Sequence, residues 1–328
     1  MPLTLKKIGR RRTLPLHIPV FSGHLSTHIE TSSQEMGSRI LFTPRLGRGL
    51  TSVTIAGTGA GLYYMYMRSI AHADSGAPKQ AFGSGPAFLS LQLESTEAVN
   101  HNTKRLRFKL PDADTVSGLT LTSALLTFSW PKGSTFPVLR PYTPTSALDE
   151  PGTLEFLVKK YPNGKQSTHI HSLQPGDSLR FIARLSGYKW QPNKHSEIML
   201  IAGGAGITPV YQLIRGILQN PGDQTKVTLV FGVNTDADLL LRNEFDEYET
   251  RFPGRFKVIY TISNPVDGSP FLKGYVTKDL LKEVAPVSGN SKVFVCGPPP
   301  MENALVGSRR QPGILEELGY RKDQIHKF

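Results

Sequence analysis

The feature that most restricts the fold is a change of hydrophobic period near Asn193. From Ala87 to that point, apolar and polar residues alternate in the short runs LSLQLES, RLRFKL, ALLTFSW, LEFLVKKY and SLRFIA, which Gly, Pro, Asp and Asn separate. A period of two puts alternate side chains on opposite faces of a pleated strand, so this half predicts antiparallel β, either barrel or sandwich. Beyond Asn193 the runs EIMLIA, VTLVFG, KVIYTI and KVFVC are continuous, with helix-like stretches near 208–219, 239–251, 277–284 and 312–319. Strands apolar on both faces and alternating with helices predict a parallel sheet of βαβ units. The expected fold class is therefore β followed by α/β, with no internal repeat.

The start of the chain differs from both halves. Residues 1–50 hold eight Lys or Arg against two Glu, which is half of the net charge of +12 of the 328-residue chain. Segment 1–48, rich in Arg, Ser and Thr and interrupted by proline, resembles a mitochondrial-type presequence. Segment 49–67, GLTSVTIAGTGAGLYYMYM, carries no charge. At about 1.5 Å per residue it is long enough to cross most of a bilayer's apolar layer, as a membrane anchor, or it is a part of the signal that import removes. Segment 68–86 reads as a linker, followed by domains at 87–192 and 193–328. With the excess charge in the leader and no nucleic-acid-binding signature, no nucleic-acid partner is expected. Cys296 is the single cysteine, which excludes an intramolecular disulfide and a multi-Cys metal site.

Four motifs carry chemistry. In IMLIAGGAGITP a strand ends in Gly203, Gly204 and Gly206, which let the backbone approach a ligand, and Thr208 with Pro209 opens a helix whose first N–H groups suit a phosphate. The turn lacks the GxGxxG spacing of a dinucleotide fingerprint, and a glycine turn also fits any tight βα connection. In VFVCGPPPM, Gly297 ends a second strand at the carboxyl edge where ligands of open α/β sheets sit, while Pro298 and its neighbours stiffen the turn before a helix from about Met301. Cys296 also fits a small buried residue at a strand end. In RPYTPTS, prolines hold an Arg, a Tyr and two Thr extended, and Arg suits bidentate pairing with a diphosphate. In VKKYPNGKQSTHI, Gly164 and Ser167 suit a second phosphate contact, or an ordinary surface hairpin.

Together with HNTKRLRF and FGVNTDADLLLRNE, these motifs resemble the ferredoxin-reductase-like flavoproteins, most closely the NADH-cytochrome b5 reductases, over about 90–328. GYKWQPNKH and the ending GILEELGYRKDQIHKF are similar to the fungal mitochondrial form. The resemblance implies a six-stranded antiparallel FAD-binding barrel followed by a parallel-sheet nucleotide-binding domain. It implies that Arg140 and Pro141 hold the FAD pyrophosphate region, that Tyr142 lies against the flavin and that Thr143 hydrogen-bonds near flavin N5. Val158, Lys159 and Tyr161 would line the flavin, Gly164, Gln166 and Ser167 would take the diphosphate, and Thr208 would add an FAD contact. Gly204, Gly206 and Ile207 with Cys296, Gly297, Pro298 and Met301 would place the nicotinamide. His101 would relay the flavin proton with Thr143, or is a surface histidine. Asp238 would accept from the adenosine ribose and favour NADH, or is a solvated loop acid.

The implied reaction is hydride transfer from NADH to FAD, then single electrons to a haem protein such as cytochrome b5, by a monomer. The implied location is the mitochondrial outer membrane or intermembrane space. Lys104, Arg105, Lys159 and Lys160 would steer an acidic haem protein, or are a solvated basic face. Two departures from the family pattern stand out. Ile182, Ala183 and Arg184 follow Phe181 where Gly-Pro is usual, and the connection VGSRRQP is short. They leave open a non-catalytic flavin- or nucleotide-binding scaffold, and a different acceptor such as a quinone is a third reading.

Overall fold

The structure is a computed structural model that describes residues 77–83, 88–286, 289–308 and 310–328. The expected presequence, the uncharged segment 49–67 and the first part of the linker lie outside the described residues. Among the described residues, no helix is long and apolar enough to cross a membrane.

The first half forms one antiparallel sheet from β1 (Leu89–Ala98), β2 (Thr103–Lys109), β3 (Ala124–Ser129), β4 (Val138–Tyr142), β5 (Thr153–Lys159) and β6 (Ser178–Leu185), in the order β4-β3-β6-β1-β2-β5. The sheet wraps a single core, because alternate residues of its strands converge: Leu91 and Leu93, Leu106 and Phe108, Leu125, Leu154 and Phe156, and Phe181. Phe181 is the hub. It stacks on Phe156 at 5.7 Å and meets Phe108 and Phe82 edge-on at 5.9 and 5.8 Å. The seam between the two end strands is bridged just past β4, where Thr145 N–H donates to the Glu155 carbonyl at 2.8 Å and Glu155 N–H donates to Ser146 Oγ at 3.1 Å.

Two expectations change here. Part of the expected linker is docked: Ala81 and Phe82 donate backbone hydrogen bonds to Val116 and Ser117, and the Phe82 side chain is fully buried. One aromatic side chain in a polar stretch is enough to anchor it, since burying a Phe removes 150–250 Å² or so from water. The stretch after Gly164 is a helix, α1 (Lys165–Ser172), which turns Gln166, Ser167 and Ile170 inward. Its β-branched and histidine content hides the helical period.

The second half is a parallel sheet of β7 (Glu197–Gly203), β8 (Lys226–Val233), β9 (Phe256–Ile262), β10 (Leu272–Lys273), β11 (Ser291–Cys296) and β12 (Ile325–Lys327), ordered β10-β9-β8-β7-β11-β12. Helices α2 (Ile207–Leu218), α3 (Arg242–Arg251), α4 (Lys278–Val284), α5 (Pro299–Val306) and α6 (Ile314–Glu317) connect or flank it. Helix α2 is buried along nearly its whole length. It packs in the core of the parallel sheet, and it also meets the first domain: Gln212 Nε2 donates to the Pro144 carbonyl at 3.3 Å and Arg215 to the Thr145 carbonyl at 3.1 Å. Helix α5 starts two residues before the expected Met301, at Pro299, because a proline's fixed φ and missing N–H cost nothing in a first turn.

Candidate functional site

One cavity of about 1020 Å³ lies where β4, the start of α1 and the carboxyl ends of β7 and β11 meet. That is the upper end of the roughly 300–1,000 Å³ range of ligand cavities, a size for a dinucleotide rather than a small substrate. It is lined by Arg140, Pro141, Tyr142 and Thr143, by Lys159, Tyr161, Gly164, Gln166 and Ser167, and by Gly203, Gly206, Thr208, Cys296, Gly297 and Pro298. Fifteen widely separated positions expected from the sequence are thus brought together.

On the β4 wall, Arg140 makes one hydrogen bond to the Leu139 carbonyl at 2.7 Å, so most of its five N–H donors remain for a ligand. Burial pushes the Tyr142 phenol up to about 12, against the lowering pull of Arg140, so the ring is neutral at physiological pH. At the next wall α1 begins without a side-chain cap and with no acid in its first turn. Its leading N–H groups therefore point a partial positive charge at the cavity. Ser167 is committed locally, donating to the Gly164 carbonyl at 3.1 Å and accepting from Tyr161 N–H at 3.2 Å. Gln166 is held by Ser129 and by Thr127 Oγ1. No Asp or Glu side chain among the described residues lines the cavity, while Arg140, Lys159, Lys165 and Lys327 do. An uncapped helix start, four cations and a flat half-buried phenol fit a diphosphate carrying an aromatic ring system.

The third wall is two strand ends side by side, with Ala202 in register with Cys296. A Cβ on Gly206 would overlap the Cys296 carbonyl, and one on Gly203 would come within 2.9 Å of Pro298 Cδ. Glycine lets the turns nest and leaves a flat backbone floor. Desolvation, reinforced by Glu302, pushes the Cys296 thiol up to about 12. It stays protonated and is no nucleophile.

Six expected residues do not line this cavity. Val158 and Ile207 are buried in the cores, Gly204 holds the turn at φ +52°, and Met301 packs its sulfur beneath Gly203 and Gly297. Asp238 is buried and hydrogen-bonded through both oxygens. One oxygen accepts from Lys159 and Asn102, both at 2.9 Å, and the other from Thr235 N–H and Oγ1 at 3.2 and 2.9 Å. Those four donors use the acceptor sites a carboxylate has. These bonds tie the β1–β2 turn and the cavity-lining Lys159 to the second domain. His101 is also outside the cavity, beside Asn102 Nδ2 at 2.8 Å and 3.8 Å from Asp238.

Desolvation raises the Asp238 pKa, but the bonds from Lys159, Asn102 and Thr235 outweigh it and hold the carboxyl at about 2. A folded pKa below the ordinary 3.8 gives stability that is complete above about pH 4 and lost as pH falls through about 2. Urea unfolding at pH 5 and pH 2.5 should show Asp238→Asn losing up to about 2 kcal/mol less than the parent on acidification.

The basic residues expected to steer a partner are largely engaged. Lys104 donates to the His171 carbonyl, Arg105 lies within 3.5–3.8 Å of Glu97, Glu155 and Glu244, and Lys159 holds Asp238. The sequence reading missed cavity residues at Thr122, Leu185, Ser186 and Gly187, and at the terminal His326 and Phe328. The signal for the first set was a strained one, since Thr122 adopts φ +61° against Gly187.

Comparison with known proteins agrees with this architecture. Residues 90–189 match the oxidoreductase FAD-binding domain family, and residues 200–306 the oxidoreductase NAD-binding domain family. The chain is 50% identical over 293 residues to NADH-cytochrome b5 reductase 2 of Pyricularia oryzae, covering 85% of this chain and 88% of that protein. It is 48% identical to the protein of that name from Emericella nidulans, covering 84% and 89%. Among solved structures, the cytochrome b5 reductase domain of Ulva prolifera nitrate reductase superposes with a TM-score of 0.68 at 27% identity, covering 77% of this chain and all of that domain.

Proposed function

The chain belongs to the NADH-cytochrome b5 reductase family, and on that premise we propose that it takes hydride from NADH onto FAD held in the cavity and delivers electrons singly to cytochrome b5. The observation that carries this is the convergence of the β4 wall, the uncapped α1 and the paired glycine turns on one dinucleotide-sized cavity. Bound FAD supplies the change from two-electron to one-electron chemistry. The protein's own residues bind, orient and exclude water.

In this reading the FAD domain is 87–192 and the NAD domain 193–328. Arg140 and the first turn of α1 neutralise the diphosphate, Tyr142 and Tyr161 flank the ring and Thr143 offers a hydroxyl at its edge. The floor of Gly203, Gly206, Cys296, Gly297 and Pro298 would hold the nicotinamide. Lys159, locked by Asp238, is a fixed cation on the cavity wall. NADH preference over NADPH, a monomeric state, attachment of the N-terminal segment to a mitochondrial membrane and the part played by His101 belong to the same proposal.

The departures do not favour a scaffold. Ala183 continues the ladder opposite Leu126, Arg184 Nη1 donates to the Gly118 carbonyl at 3.3 Å, and neither lines the cavity. The short connection closes on itself through the Gly307–Pro312 bridge and a hydrogen bond from Ser308 to Gln311. Arg140→Ala is expected to weaken FAD retention about 10- to 100-fold, the loss of a charge-assisted hydrogen bond of ~1.5–3 kcal/mol. Equilibrium dialysis of FAD measures it. Comparing NADH oxidation with cytochrome b5, ferricyanide and a soluble quinone tests the acceptor. Turnover with cytochrome b5 at a rate comparable to ferricyanide supports the proposal, and fast quinone reduction with none of cytochrome b5 reassigns the acceptor.

A further inference from the structure

The first sheet has an unusual outer face. Along β3 the inward positions Thr127 and Ser129 are polar and buried, whereas the outward ones, Leu126 and Phe128, are apolar and partly exposed, and Trp130 follows at 62% exposure. Leu139 stands opposite Phe128 on β4, Phe136 protrudes from the β3–β4 hairpin at 76% exposure, and Phe88, the residue before β1, is equally exposed. The cross-strand row Leu139–Phe128–Arg180–Ser90 contains no carboxylate, its one charge is Arg180, and the hairpin adds Lys132.

We propose that this face rests on an anionic lipid bilayer, with Trp130 and Phe136 at the level of the headgroups and Arg180 and Lys132 against their phosphates. The proposal rests on the membrane attachment put forward above. Aromatic side chains beside Lys and Arg, without acids, are the composition of surfaces that lie in the membrane interface. The redox partner is a poorer occupant. Leu126, Phe128, Trp130 and Leu139 are absent from the cavity lining, which takes only Ala124 and Pro141 from the β3–β4 part of this face. Most of the apolar face thus lies outside the cavity, and a haem protein seated on Phe128, Trp130 and Phe136 would not cover the cavity lining. In sequence, the uncharged segment 49–67 ends about twenty residues before Phe88.

The test uses the full chain with vesicles of phosphatidylcholine, with and without phosphatidylserine, carrying lipids brominated near the headgroup. The chain has two tryptophans, Trp130 and the partly buried Trp190, so fluorescence reads the face directly. Bromolipid should quench the parent on anionic vesicles and leave Trp130→Phe unquenched. Arg180→Glu with Lys132→Glu should weaken this docking about tenfold or more, with NADH–ferricyanide turnover unchanged. Flotation with vesicles but no Trp130 quenching would overturn this inference alone. Failure to float, with reductase activity intact, would overturn the membrane attachment beneath it. An absence of quenching together with a raised KM for cytochrome b5 in Trp130→Ser would give the face to the haem protein instead.

Discussion

Replacing Gly206 by Val is expected to slow the bleaching of bound flavin by NADH about 100-fold or more, with FAD content close to that of the parent. The backbone of Gly206 is ordinary, at φ −63°, so the constraint is space rather than conformation. Any Cβ there overlaps the Cys296 carbonyl and presses on Gly297 N. Strand β11 cannot retreat, because it is hydrogen-bonded on both sides, to β7 and β12. The turn after β7 must therefore lift, and with it the floor on which the nicotinamide rests. Misplacement of reacting groups by about 1 Å costs on the order of 100-fold in rate. Stopped-flow absorbance at a saturating and a limiting NADH concentration separates lost binding from lost orientation. Parent-like bleaching in Gly206→Val would mean that NADH does not use this floor.

The second large effect is on stability. Asp223→Ala is expected to lower the unfolding free energy by about 3–5 kcal/mol, read as a shift of the urea midpoint. Asp223 is fully buried and accepts from Trp190 Nε1 at 2.7 Å, Thr225 Oγ1 at 2.7 Å, Thr225 N–H at 3.1 Å and Asn193 N–H at 3.3 Å. Removing the carboxylate strands these donors where water does not reach them, at about 1–3 kcal/mol for a buried unsatisfied group. Trp190 and Asn193 belong to the segment joining the two sheets, so this one side chain fixes the connection to the second domain. Desolvation alone would raise the Asp223 pKa, but the Thr225 and Trp190 bonds outweigh it and the net direction is down. The contribution is therefore full above the ordinary carboxyl pKa and disappears on acidification through the lowered one. Asp223→Asn, which keeps acceptor capacity on one atom, should lose less than the alanine variant.

Both halves of the fold were legible because their hydrophobic periods differ, and period is dictated by which faces of a strand meet apolar surroundings. The glycine turns were legible for a similar reason: Gly203, Gly206 and Gly297 sit at strand ends where another backbone passes within contact distance. Helix α1 was hidden because KQSTHIHS has neither a strong apolar stripe nor good helix formers, and it is held by Gln166 and Ile170 reaching inward. The engagement of Asp238 was hidden because its partners, Lys159 and Asn102, come from another domain, and a loop acid looks the same in sequence whether or not such partners arrive. The cavity walls from Thr122 and from Ser186 and Gly187 rely on a left-handed turn that a threonine rarely adopts, so no local pattern announced them.

The central claim is that one cavity holds FAD and admits NADH to it, and the visible spectrum of the purified chain before and after anaerobic addition of NADH tests it most directly. The account predicts a yellow protein with about one flavin per chain, bleached by one equivalent of NADH and restored by oxidised cytochrome b5. A folded, colourless protein that takes up no FAD, or a yellow one that NADH leaves unchanged, would contradict it.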